Sequence, residues 1–274
     1  MEAIGPAHRA MTPVADATYP RLGIRANWRQ FTLLLTINAF VGAMVGLERS
    51  VLPTLAEREF GVASTTVALS FLVAFGLVKA ASNLAAGHLA DRVGRKRLLV
   101  VGWMVALPVP LLVLFAHSWS WIVAANVLLG INQGLTWSMT VVMKVDLAGP
   151  ARRGLALGLN ESVGYAAVAL AAFGSAQLAV GHSPRFVAAL LGAVVAACGL
   201  LLSALFTRDT AEHVGSEIGA TPRTSARTRD VLRQVTWTDR SLSAAAQAGL
   251  VNNMNDALAW GLLPIFLASS GLSV

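Results

Sequence analysis

Ionisable and amide side chains stand where an otherwise apolar chain leaves no water to solvate them. Asn38, Glu48 and Arg49 fall in one apolar stretch, Asn132, Gln133 and Trp137 in another, Glu161 in a third, and Asn255 and Asp256 in a fourth. A charge at the centre of a hydrocarbon layer costs about 2.5–3.5 kcal/mol by insertion scales, so such groups mark a solute pathway by default. Their chemistry is recognition: amides donate and accept, carboxylates take protons or cations, an arginine takes anions. Nothing here is arranged to break bonds. The histidines lack metal-ligand spacing, no catalytic triad or paired-carboxylate site is apparent, and neither Gly130-x-x-x-Gly134 nor Gly154-x-x-x-Gly158 is followed by the Lys-Ser/Thr of a phosphate loop. The two glycine pairs read as close helix packing. No enzyme activity, metal or cofactor is expected, although the acidic groups are compatible with a coupling ion such as H+.

Helical register groups these residues further. Arg49 follows Asn38 by eleven residues, which puts both on one face at about 100° per residue. Glu48 is able to pair with Arg49 or with another helix, and an ion pair at the outer interface explains both equally well. Asn126, Gln133, Trp137, Thr140 and Lys144 form one stripe that should face a bundle interior, with Asn132 close to it. Hydrogen bonding between packed helices is the alternative for that stripe. Glu161, about 10 Å into its helix, must pair, hydrogen-bond or face a water-filled cavity, with Asn160 and Tyr165 as neighbours. Lys79 is expected to snorkel toward the inner surface. Asn252, Asn255 and Asp256 share a face, with Trp260 one turn beyond.

The elements that position these groups follow from composition. The 274-residue chain is 55% hydrophobic and only 13% charged, with a mean hydropathy of +0.64, against about 25% charged in a soluble domain. It lacks the charges to make a water-facing surface, so its solvent is lipid. A crossing needs about 20 apolar residues. That rule predicts spans near 31–53, 65–87, 98–116, 120–143, 154–180, 185–206 and 242–267, an all-α polytopic membrane protein. The net charge of +7 is spread over short connections, which argues against nucleic acid as a partner. The single Cys198 lies in an apolar run and reads as packing.

Of the 21 Lys and Arg residues, 17 fall in segments 1–30, 88–97, 144–153 and 207–241. This asymmetry places those segments in the cytoplasm. The expected organisation is a cytoplasmic tail over 1–30, a six-helix bundle over 31–206, a polar linker over 207–241, and a seventh span over 242–274. An internal echo supports a second unit beginning there. Leu52-Pro53-Thr54-Leu55 with Gly61 matches Leu263-Pro264-Ile265-Phe266 with Gly271, and parallel repeats are a known transporter architecture.

One connection is more specific. Gly87-x-Leu89-Ala90-Asp91-Arg92-x-Gly94-Arg95-Lys96-Arg97 resembles the signature loop between the second and third helices of the major facilitator superfamily. Pro150 to Gly158, with Arg153-Gly154 opening the fifth helix, resembles that family's second cytoplasmic landmark. The resemblance implies that helices 1, 4, 7 and 10 line a substrate cavity. It also implies that Gly87, Asp91, Arg92, Gly94, Arg95, Lys96 and Arg97 form a conformational latch, with Arg153 or Arg152 as a partner available in this chain. A plain topology determinant is the alternative for the loop. Two family features are missing: Asn126 stands where an outer-half arginine of the fourth helix is often found, and the fifth helix has no Gly-Pro motif.

The expectation is a secondary transporter in a bacterial inner membrane, moving a small solute by alternating access between helices 1, 4 and 7. Its expected partners are that small molecule and the bilayer. Trp137 and Trp260 among amides and charges suit an amphipathic organic solute. The competing expectation, from a different class, is a truncated, transport-incompetent sensor or assembly partner, since the chain stops at Val274.

Overall fold

Backbone groups in hydrocarbon must be satisfied within their own segment, so long apolar runs fold as helices. The computed structural model describes residues 20–62, 67, 69–218, 228–259 and 266. Among them the regular elements are all helical. The long ones are α1 (Trp28–Arg58), α2 (Ser70–Val93), and α3 (Arg95–Ala106) continued by α4 (Pro108–Leu114). They are followed by α5 (Trp119–Ala148), α6 (Arg153–Gly181) and α7 (Pro184–Leu201), which runs on through a wider turn over Leu202–Phe206. The break between α3 and α4 has a covalent cause. Pro108 and Pro110 have no N–H for the helical ladder, and the Leu107 N–H tightens onto the Met104 carbonyl at 3.3 Å.

Trp28–Arg58, Ser70–Val93, Arg95–Leu114, Pro150–Gly181 and Pro184–Phe206 are long and apolar enough to cross a membrane. They leave Leu77, Leu170, Phe173 and Val180 on the outside, where lipid is the natural partner. α5 falls outside this set despite its 30 residues, because Asn126, Asn132, Gln133, Thr136 and Thr140 dilute its apolar content. All five are buried: α5 is the interior helix, packed by α1, α2, α3, α4 and α6.

Glycine sets how closely the helices approach. A Cβ on Gly42 or Gly46 would run into the carbonyls of Gly164 and Val168, so α1 and α6 touch backbone to backbone. Gly130 and Gly134 bring α5 against α2, where a Cβ on Gly130 would lie 2.8 Å from the Phe75 carbonyl. The expected packing pair in the fifth span is different. Gly154 and Gly158 have nothing within 4 Å, and the close face of α6 is the one carrying Gly164.

Within the polar segment 207–241 lie two short helices, α8 (Ala211–Ile218) and α9 (Thr228–Arg233). α10 (Arg240–Ala257) opens where the seventh span was expected, with the Asp239 carboxylate accepting from the Ser241 and Leu242 N–H groups. The Leu263-Pro264 and Gly271 part of the internal echo, Trp260, and most of the N-terminal tail lie outside the described residues. The end of that tail is anchored: Gly23 N–H donates to the Leu147 carbonyl at 2.8 Å and the Asn27 amide to Arg21 O at 2.7 Å.

Candidate functional site

Two polar assemblies occupy the bundle interior, and α5 belongs to both. The first is a set of amide clamps. Asn38 Nδ2 donates to the Asn160 carbonyl at 2.8 Å, and Thr140 Oγ1 donates to Asn38 Oδ1 at 3.1 Å. Gln133 Nε2 reaches the Val41 carbonyl at 3.0 Å, and Asn132 Nδ2 the Gly102 carbonyl at 2.9 Å. Asn38, Asn132 and Gln133 are completely buried. In this conformation they tie α5 to α1, α3 and α6 and form the wall of the bundle.

The second assembly is charged. Trp137 of α5 meets Tyr165 of α6 edge to face, with ring centroids 6.1 Å apart. Lys79 of α2 sets its ammonium 5.3 Å over Trp137 and 5.6 Å over Phe75, at cation–π range. Tyr165 donates its hydroxyl to Asp256 Oδ2 at 2.7 Å, which brings α10 to the bundle. Arg49 lies within electrostatic reach of Asp256 and Tyr165, and Lys79 within reach of Arg49, Asp256 and Glu161. Glu161 accepts from Asn160 Nδ2 at 2.8 Å. Two cations, two carboxylates and two rings therefore converge where α1, α2, α5, α6 and α10 meet. Asn255 is exposed, one residue away from that focus.

Lys79 points the other way from the sequence expectation. Instead of snorkelling to the inner surface, its half-buried side chain lies over an aromatic ring of a neighbouring helix. Its being the lone charge between Phe60 and Ala90 was the signal. Lys144, by contrast, is fully buried, with Nζ 3.3 Å from the Leu34 carbonyl and within electrostatic reach of Glu161.

The signature loop is built around Arg95. Gly94, at φ +97°, reverses the chain between α2 and α3, a conformation that L side chains rarely adopt. Arg95, buried, pairs with Asp91 at 2.9 Å and with Asp146 of α5 at 3.1 Å, and also donates to the Ala90 carbonyl at 3.3 Å. Thr210 donates its hydroxyl to the same Asp146 oxygen at 2.7 Å, and Asp209 accepts the Lys96 N–H at 3.0 Å. The partners from beyond the loop that the structure brings to Arg95 and Lys96 are therefore Asp146 and Asp209, with Thr210 sharing Asp146. Gly87, Arg92, Arg97 and Arg153 are exposed. Beyond Thr210, burial holds the half-buried His213 imidazole below its ordinary value, while Asp146 and Glu212 pull it upward. At the opposite end, Arg185 pairs with Glu59 at 2.7 Å and donates to the Ala116 carbonyl at 2.6 Å.

The family model of the Major Facilitator Superfamily matches residues 33–274. The chain belongs to the major facilitator superfamily. Curated relatives include the methyl viologen resistance protein SmvA from two strains of Salmonella typhimurium, LT2 and 14028s. Each is 33% identical over 137 residues, 48% of this chain and 27% of the relative. The chain thus spans about a quarter of the length of those relatives. Among solved structures, a mutant of the peptide transporter POT in complex with sulfate shares the fold at TM-score 0.51 and 20% identity, covering 89% of this chain and 49% of that one. A POT family transporter in complex with 5-aminolevulinic acid does so at TM-score 0.55 and 15% identity, covering 88% and 49%. A major facilitator chain with helices long and apolar enough to cross a membrane is a membrane protein, and the charged cluster sits among its helices.

Proposed function

We propose that this chain moves a small amphipathic organic solute across a bacterial inner membrane by alternating access. In this reading the N-terminus and segment 207–241 face the cytoplasm. The observation that carries it is the convergence of Arg49, Lys79, Glu161 and Asp256 around the Trp137–Tyr165 pair. Charges of both signs at membrane depth are costly, and a binding surface for a solute with an apolar body and a polar head is a use that repays them. Trp137 and Tyr165 supply a face for the body, Asp256 and Glu161 take a cationic head, and Arg49 takes an acidic one. Asn38, Asn132 and Gln133 hold the wall against which the pathway forms, and Asn255 lies at its α10 margin. The name of the SmvA relative, which speaks of methyl viologen resistance, makes flat organic cations the first solutes to try.

The signature loop fits the same reading as a latch. Gly87 and Gly94 permit the turn, Arg92, Lys96 and Arg97 hold it at the inner surface, and Arg95 locks α2 and α3 to α5 through Asp146. Asp91 and Arg153 stand exposed at the same end and serve as contacts for the other conformation.

The test is solute flux in vesicles containing the full chain, across a panel of organic cations, zwitterions and acids. We expect flux for at least one aromatic organic cation, lost in Asp256→Asn and Trp137→Ala. Absence of flux for every class would refute transport.

A further inference from the structure

We propose that Arg25, Arg29 and Arg208 bind the phosphate headgroup of an anionic membrane lipid, at the corner where α1 begins and α7 ends. Gln30 makes the corner. Its Nε2 donates to the Phe206 carbonyl at 2.8 Å, and its Oε1 accepts the Arg208 N–H at 3.1 Å. The Arg208 backbone is thereby held against the first turn of α1, which also carries Arg29. Arg25 stands four residues before Arg29, on a turn that is itself fixed: Gly23 N–H donates to the Leu147 carbonyl at 2.8 Å, and Asn27 N–H to the Gly23 carbonyl at 3.1 Å. All three arginines are exposed, and among the described residues no carboxylate pairs with them. The nearby Asp209 is engaged elsewhere, its carboxylate accepting from the N–H groups of Lys96 and Ala211.

The surroundings of these arginines suit a lipid better than a free anion. Trp28 and Phe206 are the terminal residues of two helices long and apolar enough to cross a membrane, Trp28–Arg58 and Pro184–Phe206. Both therefore stand at the edge of the hydrocarbon layer. Trp28, Leu205 and Phe206 are each more than half exposed. Tryptophan belongs at headgroup level, and Leu205 and Phe206 offer apolar surface to an acyl chain just below it. The Arg29 guanidinium lies 5.5 Å over the Trp28 ring, at cation–π range, which keeps its charge at that level. Basic residues clustered where spans meet the membrane surface are a recognition surface for anionic headgroups. The neighbouring basic pair is already taken by protein: Arg95 by Asp91 and Asp146, and the Lys96 N–H by Asp209. A headgroup seated on Arg29 and Arg208 bridges the start of α1 to the start of segment 207–241, alongside the two Gln30 bonds.

The inference rests on the transport reading only for which leaflet supplies the lipid, and its test does not need that reading. The full chain is released from micelles holding equal amounts of phosphatidylglycerol and phosphatidylcholine with matched acyl chains, and native mass spectrometry counts the lipids retained. We expect a preference for phosphatidylglycerol. Each arginine near an anionic surface contributes about fivefold, so Arg29→Gln with Arg208→Gln should lower that preference by up to about thirtyfold. Arg29→Lys with Arg208→Lys keeps the charges and should keep most of it. Arg233→Gln with Arg240→Gln, exposed arginines farther along the chain, should leave it intact. Phe206→Ser should weaken retention, and inorganic phosphate at the lipid's concentration should displace nothing. No preference in the wild type, or one unmoved by Arg29→Gln with Arg208→Gln, overturns the proposal. So does an equal loss in the lysine pair or in the Arg233 and Arg240 pair. Displacement by phosphate with no effect of Phe206→Ser marks a plain anion site and overturns it too. Solute flux, found or not, bears on the transport reading alone.

Discussion

Removing the charge of Asp146 should destabilise the bundle far more than removing that of Asp91, although both carboxylates contact Arg95. The Arg95 side chain is 6% exposed, Asp146 10% and Asp91 52%. Breaking a buried pair from one side costs about 3–5 kcal/mol because the remaining charge stays buried and uncompensated. In Asp146→Asn, Arg95 keeps Asp91 at 2.9 Å and the Ala90 carbonyl at 3.3 Å, which lowers that figure to about 2–3 kcal/mol. The Thr210 hydroxyl, 2.7 Å from Asp146, exchanges a charged acceptor for a neutral one, adding about 1 kcal/mol. Asp91→Asn removes a half-exposed partner and costs about 0.2–1 kcal/mol. Replacing both ions, Arg95→Met with Asp146→Leu, removes the stranded charge and should recover at least half of the single-variant loss. The assay is reversible unfolding of the full chain in mixed micelles on titration with a denaturing detergent. Equal effects for Asp146→Asn and Asp91→Asn, or a double variant no better than Asp146→Asn, would refute the account of Arg95 as a buried cation held by α5.

Other perturbations separate the remaining parts. Gly46→Leu places side-chain atoms on the Val168 carbonyl and should cost about 1–3 kcal/mol, whereas Gly158→Leu, with nothing within 4 Å, should stay within about 0.5 kcal/mol; the same unfolding titration compares them. Asn132→Leu strips the Gly102 carbonyl of its donor and should destabilise by about 1–3 kcal/mol, and no loss would show that the clamp is not needed. Lys79→Met frees the Trp137 face and should tighten binding of an aromatic organic cation by about two- to tenfold, while Asp256→Asn weakens it; equilibrium binding showing the opposite order would sink the assignment. His213, held below the ordinary imidazole value of 6.5 by burial, is neutral when docked. The unfolded form binds the proton more readily, so docking is at full strength above that value and weakens as pH falls below it. Amide-exchange protection over 207–214, taken relative to the intrinsic rate at each pH, should therefore fall on acidification in the wild type but stay flat in His213→Leu.

Much of this protein is determined by local chemistry and so was legible in the chain. A run of apolar residues long enough to cross a bilayer folds as a helix because lipid offers the backbone no partner, which is why the first three spans and the fifth and sixth match α1 to α4, α6 and α7. The loop from Gly87 to Arg97 declared itself through its glycines and charges, and with it the family. Only the tertiary structure decided where side chains point. Asn38, Asn132 and Gln133 have the composition of a pathway, yet each bonds to a carbonyl on a neighbouring helix, and periodicity cannot distinguish a cavity from a packed wall. Glu48 and Arg49, inseparable in sequence, part because α7 packs on one side of α1 and Asp256 of α10 approaches on another. Lys79 turns inward because Trp137, 58 positions later in the chain, lies across the helix interface. Arg95 finds Asp146 for the same reason: the pairing of charges is set by which helices pack together, a property of the whole bundle rather than of any one segment.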